Sequence, residues 1–148
     1  MKKLIIENEV VIEAPIAKVW QVLTDPKLTP EYMYGCAVES SWKIGDPVLW
    51  RAVQNNVVYV KGHLVEWVEG SVFAFTTFDP TSSIEDIPEN YLTARYELND
   101  QDGQTTLKVT HGDYNAVAEG ESRYADTQAQ GGWGAVLESI KKIAERMG

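Results

Sequence analysis

Along residues 4–12 the apolar positions Leu4, Ile6, Val10 and Ile12 alternate with Ile5, Glu7, Glu9 and Val11. A period of two with many β-branched side chains predicts a strand. At Ala14-Pro15 the period changes. Proline suits a first helical position because its missing N–H would find no partner there anyway. Ile16, Val19, Trp20 and Leu23 then follow at helical spacing. Asp25-Pro26 ends that helix, and Thr29-Pro30-Glu31 opens a very short second one carrying Tyr32 and Met33. From Gly35 the texture is all strand. Residues 36–42, 48–53, 57–68 and 72–78 are apolar or alternating, and turn signals lie between them, Gly45 and Gly70 among them. Runs this close together can pair only as antiparallel hairpins. Residues 79–90 are polar with two prolines and predict a loop; two more strands, 91–98 and 105–111, and a second loop, 112–120, follow.

Beyond that loop the period is helical again. Trp133, Val136, Leu137, Ile140, Ile143, Ala144 and Met147 fall on one stripe, with Glu138, Lys141, Lys142 and Glu145 opposite. The pattern predicts a helix of at least five turns within residues 121–146, lying across the sheet. Strand, helix, short helix, six strands and a long helix make an α+β architecture with the helices gathered on one face. The long helix must bury its stripe against the concave side of the sheet.

Alternation also sorts the strand residues by face. One face carries Phe73, Phe75 and Thr77, then Ala94, Tyr96 and Leu98, then Leu107, Val109 and His111. The other carries Arg95, Glu97, Lys108 and Thr110, which belong in water. The first set therefore points at the final helix, toward Trp133 and Leu137. Trp50 joins it if Arg51 faces outward, and Trp42 is a further candidate of ambiguous register. His111 is the one titratable group that alternation puts inside. It reads as a histidine satisfied by a hydroxyl or a carbonyl, as a polar anchor for a ligand, or as a general base, the last demanding geometry and a perturbed pKa as well. Tyr32 and Tyr114 stand near loops as residues of a cavity mouth. Asp113, Glu119 and the acidic run Glu85-Asp86 with Glu89 read as solvated loop charges.

Composition excludes several classes. The chain has 148 residues, 44% of them apolar and 24% charged, which is the make-up of an ordinary globular protein and one domain's worth of chain, residues 1–148. No apolar run approaches the roughly 20 residues that span a bilayer, and the apolar stretch after Met1-Lys2-Lys3 is too short for a leader. Thirteen basic against twenty-two acidic residues give a net charge of −9, with no basic cluster above a pair. Neither nucleic acid nor an anionic membrane surface is then an expected partner. The single cysteine, Cys36, reads as a small buried hydrophobe in a reducing, cytoplasmic setting. Two histidines and one cysteine leave no structural zinc site. Phosphate-binding and nucleophile-elbow motifs are absent, so no catalytic residue, metal or cofactor is assigned.

Several pieces together resemble one family. They are Glu13-Ala14-Pro15-Ile16-Ala17-Lys18-Val19-Trp20 with Leu23-Thr24-Asp25-Pro26, Gly45 closing the first hairpin, Gly62-His63-Leu64-Val65-Glu66-Trp67, Thr106-Leu107-Lys108-Val109-Thr110-His111, and Gly132-Trp133 with Leu137. Their order and spacing resemble the START-like (SRPBCC) superfamily and, within it, bacterial homologues of the heat-shock-chaperone ATPase activator (the AHSA-type family). Tyr32 replaces a usual tryptophan, and Phe75-Thr76-Thr77 replaces an aromatic-Thr-Trp ending, which would widen a cavity there. The resemblance implies a helix-grip fold: an antiparallel six- to seven-stranded sheet curved around a long C-terminal helix, with two short helices after the first strand. It also implies an apolar cavity between sheet and helix.

A small-molecule binding protein for an apolar or aromatic ligand is the first expectation. Trp50, Phe75, Thr77, Tyr96, His111, Tyr114, Trp133 and Leu137 are its candidate lining, gated by loops 79–90 and 112–120. The alternatives are a protein-interaction module resembling a chaperone ATPase activator and an enzyme acting on an aromatic or polyketide-like substrate. Fold alone does not choose among them. A monomer and a homodimer are both compatible with the sequence.

Overall fold

The computed structural model describes residues 3–147; Met1, Lys2 and Gly148, with most of the basic start read above, lie outside the described residues. Seven strands, all paired antiparallel, form a curved sheet in the order β1-β7-β6-β5-β4-β3-β2. They are β1 (Ile6–Ile12), β2 (Cys36–Ser40), β3 (Pro47–Ala52), β4 (Val58–Val68), β5 (Val72–Thr77), β6 (Leu92–Gln101) and β7 (Gln104–Gly112). The edges β1 and β2 are consecutive in sequence, so the segment between them crosses the whole concave face. It does so as helix α1 (Ile16–Thr24) and a 3-10 turn (Thr29–Glu31), the two short helices that the sequence predicts.

The turns follow local chemistry. Pro15 precedes α1 in an extended conformation, and its carbonyl accepts the first helical N–H bonds from Lys18 and Val19. Thr29 is fully buried because its hydroxyl replaces missing backbone partners: Oγ1 accepts from Val38 N at 3.0 Å and donates to Cys36 O at 3.2 Å. Alternation is obeyed across β5, β6 and β7. Phe73 faces Tyr96 and Val109 in turn, and Phe75 faces Ala94 and His111. On the outer face Arg95 pairs with Glu66 at 2.9 Å and with Glu97 at 2.7 Å. Arg51 turns outward onto Glu39, which leaves Trp50 inside and 2% exposed.

The C-terminal stretch departs from expectation. It is not one helix of five turns but two, α2 (Gly120–Ala129) and α3 (Gly134–Met147). Gly131 and Gly132 between them take φ of 88° and 62°, a left-handed conformation that stops a right-handed helix and that glycine enters without steric cost. The side chain of Asn8 on β1 holds the break: Oδ1 accepts from Trp133 N at 2.9 Å, and Nδ2 donates to Gly131 O at 3.3 Å. The predicted stripe is thereby divided. Val136, Leu137, Ile140, Ile143 and Ala144 are buried against the sheet and α1, whereas Trp133 precedes α3 and is only partly buried.

The core fills the space between the sheet, α1 and α3. At one end Trp20, Trp42, Trp67 and Phe73 pack ring on ring, with Trp42 stacked on Trp67 at 5.0 Å. Trp42 lies just after β2 and belongs to this cluster rather than to the cavity end. Tyr32 is also core, not a mouth residue. It is 4% exposed and donates its hydroxyl to Leu23 O at 2.9 Å, which anchors the 3-10 turn to α1.

Candidate functional site

At the other end of the sheet the packing is incomplete. A chamber of about 130 Å³ is lined by Met33, Trp50, Val60, Phe75, Thr77, His111 and Trp133. The sheet supplies most of the walls, since β3 to β5 and β7 turn alternate residues inward. The 3-10 segment brings Met33, and the Gly131-Gly132 break drops Trp133 over the opening. Two wider spaces share these walls. One, of about 340 Å³, runs from Thr77 and His111 to Tyr114 and to Arg123, Asp126 and Thr127 on α2. The other, of about 390 Å³, runs from Met33, Trp50 and Val60 out to Tyr34, Asn55 and Tyr59. Val60 stands where all three meet.

Of the eight residues predicted to line a site, Trp50, Phe75, Thr77, His111 and Trp133 share the chamber, and Tyr114 borders the wider space beside it. Tyr96 and Leu137 lie behind the wall as fully buried core. Met33, Val60 and Arg123 were not predicted. Val60 was readable, because Val58, Val60, Gly62 and Leu64 alternate on the inner side of β4. Arg123 lies on a polar helix with no apolar stripe to orient it, and no local signal marks it.

His111 is the titratable group among the chamber's lining residues. Its Nε2 is 2.9 Å from Thr77 Oγ1 and its Nδ1 is 3.2 Å from the Tyr114 hydroxyl. Thr77 Oγ1 donates its own proton to Leu92 O at 3.0 Å. It therefore accepts from Nε2–H, which leaves Nδ1 to accept from Tyr114. The relay Tyr114 to His111 to Thr77 to Leu92 is complete only with a neutral imidazole. Burial, and secondly the charge of Arg123, push the His111 pKa down to about 4. Burial also pushes up the phenols of Tyr96 and Tyr32, with the neighbouring Tyr96 adding to the effect on Tyr32. The Tyr96 hydroxyl is buried without a partner among the described residues.

These facts set a pH response. The unfolded chain takes up a proton near the ordinary histidine value of 6.5, the folded one only near 4. Between those values the unfolded state binds more protons, so stability falls as pH drops from about 6.5 to about 4. A gap of this size converts to roughly 3 kcal/mol; water at the rim reduces it to about 2 kcal/mol. Urea unfolding of the protein and of His111→Gln, at intervals from pH 7.5 to 4.5, should show a steeper loss in the parent. Equal slopes would mean that His111 is not held neutral.

The remaining expectations fall into place around this end. Cys36 is buried at the edge of the 390 Å³ space, and burial raises its thiol pKa, away from reactivity. Asp113 is not a free loop charge, because its Oδ1 accepts from Leu4 N at 2.9 Å and Asn115 N at 3.0 Å. Asp86 is paired with Lys61 and accepts from the Tyr91 hydroxyl at 2.7 Å. Among the described residues no cluster of His, Cys, Asp and Glu has the make-up of a metal site, and no helix is long and apolar enough to cross a membrane.

The sequence from 13 to 145 matches the family model described as activator of Hsp90 ATPase homolog 1-like protein. No curated protein matches the sequence. A protein of Cytophaga hutchinsonii, known from its solution structure, is 31% identical, with 99% of this chain and 98% of that chain covered and a TM-score of 0.74. The Aha1 dimer from Colwellia psychrerythraea is 16% identical, covers 95% of this chain and 96% of that one, and superposes with a TM-score of 0.70. DynU16, from the dynemicin biosynthetic locus, has 14% identity and a TM-score of 0.73, over 97% of this chain but only 48% of its own. At these two lower identities the likeness is one of fold.

Proposed function

We propose, from the premise that this chain belongs to the family of activator of Hsp90 ATPase homolog 1-like proteins, that it is a binding protein for a small apolar or aromatic molecule. The observation that carries the reading is the chamber under Trp133. Its walls are apolar except for Thr77 and His111, and the polar groups of both are already bonded to each other and to Leu92 and Tyr114. A polar solute gains nothing there, whereas an apolar one sheds water on Phe75, Trp50 and Val60 at about 25 cal/mol per Å². Dry apolar cavities of about 150 Å³ accept a benzene ring, so this chamber takes one ring and the adjoining spaces take the rest of a ligand.

A saturable titration with an environment-sensitive apolar dye, near one per chain, is the expected result, with native mass spectrometry to show a co-purifying ligand and the subunit count. Val60→Trp should abolish dye binding while the melting curve stays cooperative, because Val60 is partly buried where all three spaces join. Dye binding that survives this plug would place the ligand elsewhere.

A protein-interaction module is the second reading. Tyr34 and Tyr59 line the 390 Å³ space and are exposed by 82% and 40%, and Val53 and Val57 are exposed on the segment between β3 and β4; exposed apolar groups in a cluster mark contact surfaces. The solved neighbour that is an Aha1 dimer makes a second copy of this chain the partner to test first. An enzyme is the weakest of the three, because a general base needs a free nitrogen and His111 gives both of its own to hydroxyls.

A further inference from the structure

We infer that the ligand is an aryl carboxylate, its ring in the chamber and its anionic head against Arg123 in the space between α2 and the His111–Tyr114 rim. This rests on the ligand-binding reading and adds the chemical class. The inference follows from an inventory of donors around the 340 Å³ space. Thr77 gives its proton to Leu92 O, His111 gives Nε2–H to Thr77, and Tyr114 gives its hydroxyl to His111. Thr127 donates to the backbone oxygen of Arg123 at 2.9 Å. Arg123 alone keeps side-chain donors in reserve: Nη1 bonds Ala118 O at 3.1 Å, while Nε and Nη2 make no such bond among the described residues. No carboxylate among the described residues pairs with it. Its guanidinium lies 6.0 Å from the Tyr114 ring centroid, which holds it over the rim. A planar fork with two free N–H groups is matched by a carboxylate.

Two acidic residues share that space, and they decide whether an amine would serve instead. Asp79 spends Oδ1 on Thr81, at 2.8 Å to N and 2.6 Å to Oγ1, and Asp126 stands on an exposed position of α2. Burial is the main reason that the His111 pKa is lowered, and the charge that adds to it is the cation of Arg123 rather than either carboxylate. The chamber itself offers an anion nothing, so ring and head separate along the axis from Phe75 past His111 to Arg123.

Calorimetry with hydrocinnamate, its alcohol and its amine, at low salt and neutral pH, tests this on the protein and on Arg123→Gln, Arg123→Lys and Asp126→Asn. The acid should bind about tenfold more tightly than either analogue. Arg123→Gln should bring the acid down to the alcohol's affinity without changing the alcohol, Arg123→Lys should restore part of the preference, and Asp126→Asn should strengthen it. If the alcohol binds as well as the acid, or the amine binds best, the head-group assignment is overturned and the apolar chamber stands. If Arg123→Gln weakens acid and alcohol alike, Arg123 only shapes α2 and the assignment is again overturned. If none of the three binds, the ligand-binding reading itself fails.

Discussion

Gly62→Ala should leave little or no folded protein. The strand β4 is shared by the two halves of the sheet, and at Gly62 its backbone runs directly against β5. A Cβ added there would stand 1.7 Å from Thr76 O and 2.4 Å from its carbonyl carbon. Both are backbone atoms, so no side chain can rotate away, and β4 must separate from β5. The separation would also break the 2.9 Å bond from His63 N to Thr76 Oγ1 and the paired bonds between Lys61 and Phe78. The cost exceeds the 4–5 kcal/mol or so that marks an exceptional single substitution. Gly103→Ala is the control. Its φ of 89° makes alanine uncomfortable, but nothing lies within 4 Å of the added carbon. That strain alone costs about 1–2 kcal/mol. Soluble yield and a urea melt of the two variants would settle the matter, and a cooperative Gly62→Ala melt close to the parent's would show that the strands are not in this close contact.

Trp50→Ala should lower stability by about 3–5 kcal/mol, the range for deleting a large buried aromatic. Trp50 is 2% exposed, its ring lies 5.8 Å from Phe75 and 6.4 Å from Tyr32, and it walls the chamber. Its removal joins the chamber to the 390 Å³ space and leaves Tyr32 without its edge-on partner. In a chain of this size the melting temperature should fall by roughly 10 °C or more. Val65→Ala, on the outer side of β4 and 48% exposed, should stay within about 0.5 kcal/mol. A large ligand that the parent excludes should bind the folded fraction of Trp50→Ala. A loss for Trp50→Ala no larger than for Val65→Ala would mean that this end of the sheet is already open to water.

The candidate site has two kinds of wall. The sheet wall is rigid, because Phe75, Thr77 and His111 sit on strands paired on both sides. The helical wall is not built that way. Within α2 the buried residue is Gly120 at its start, and the helix is bounded by Glu119 at a φ of 56° and by Gly131-Gly132. A helix with so little apolar burial is held mostly by its ends and by Tyr114, Tyr124 and Arg123. Elements with few buried contacts open at the lowest free energy, which places the adjustable side of the site on α2.

The strands and their inner faces were legible in the sequence because a strand side chain has only two choices. Once Arg95, Glu97 and Lys108 are assigned to water, Tyr96, Val109 and His111 must face inward. Proline at the start of α1 and glycine in the turns marked the element ends by backbone restriction alone, and the ordered motifs from Glu13 to Leu137 carried the family. The helix break was not legible from periodicity, because Trp133 keeps helical spacing with Leu137 whether or not the helix runs on. Only the docking of Asn8 onto Gly131 and Trp133, across more than a hundred residues of chain, shows that the backbone turns there. Tyr32 was misplaced for the same reason, since its hydroxyl finds Leu23 O only after the 3-10 turn folds back on α1. Local pattern determined which side of the sheet would be apolar. Where that side stays unfilled, which hydroxyls bond His111 and which cation stands at the rim were decided by distant segments meeting in space, since a void and a hydrogen-bond partner are properties of the packed chain and of no single stretch of it.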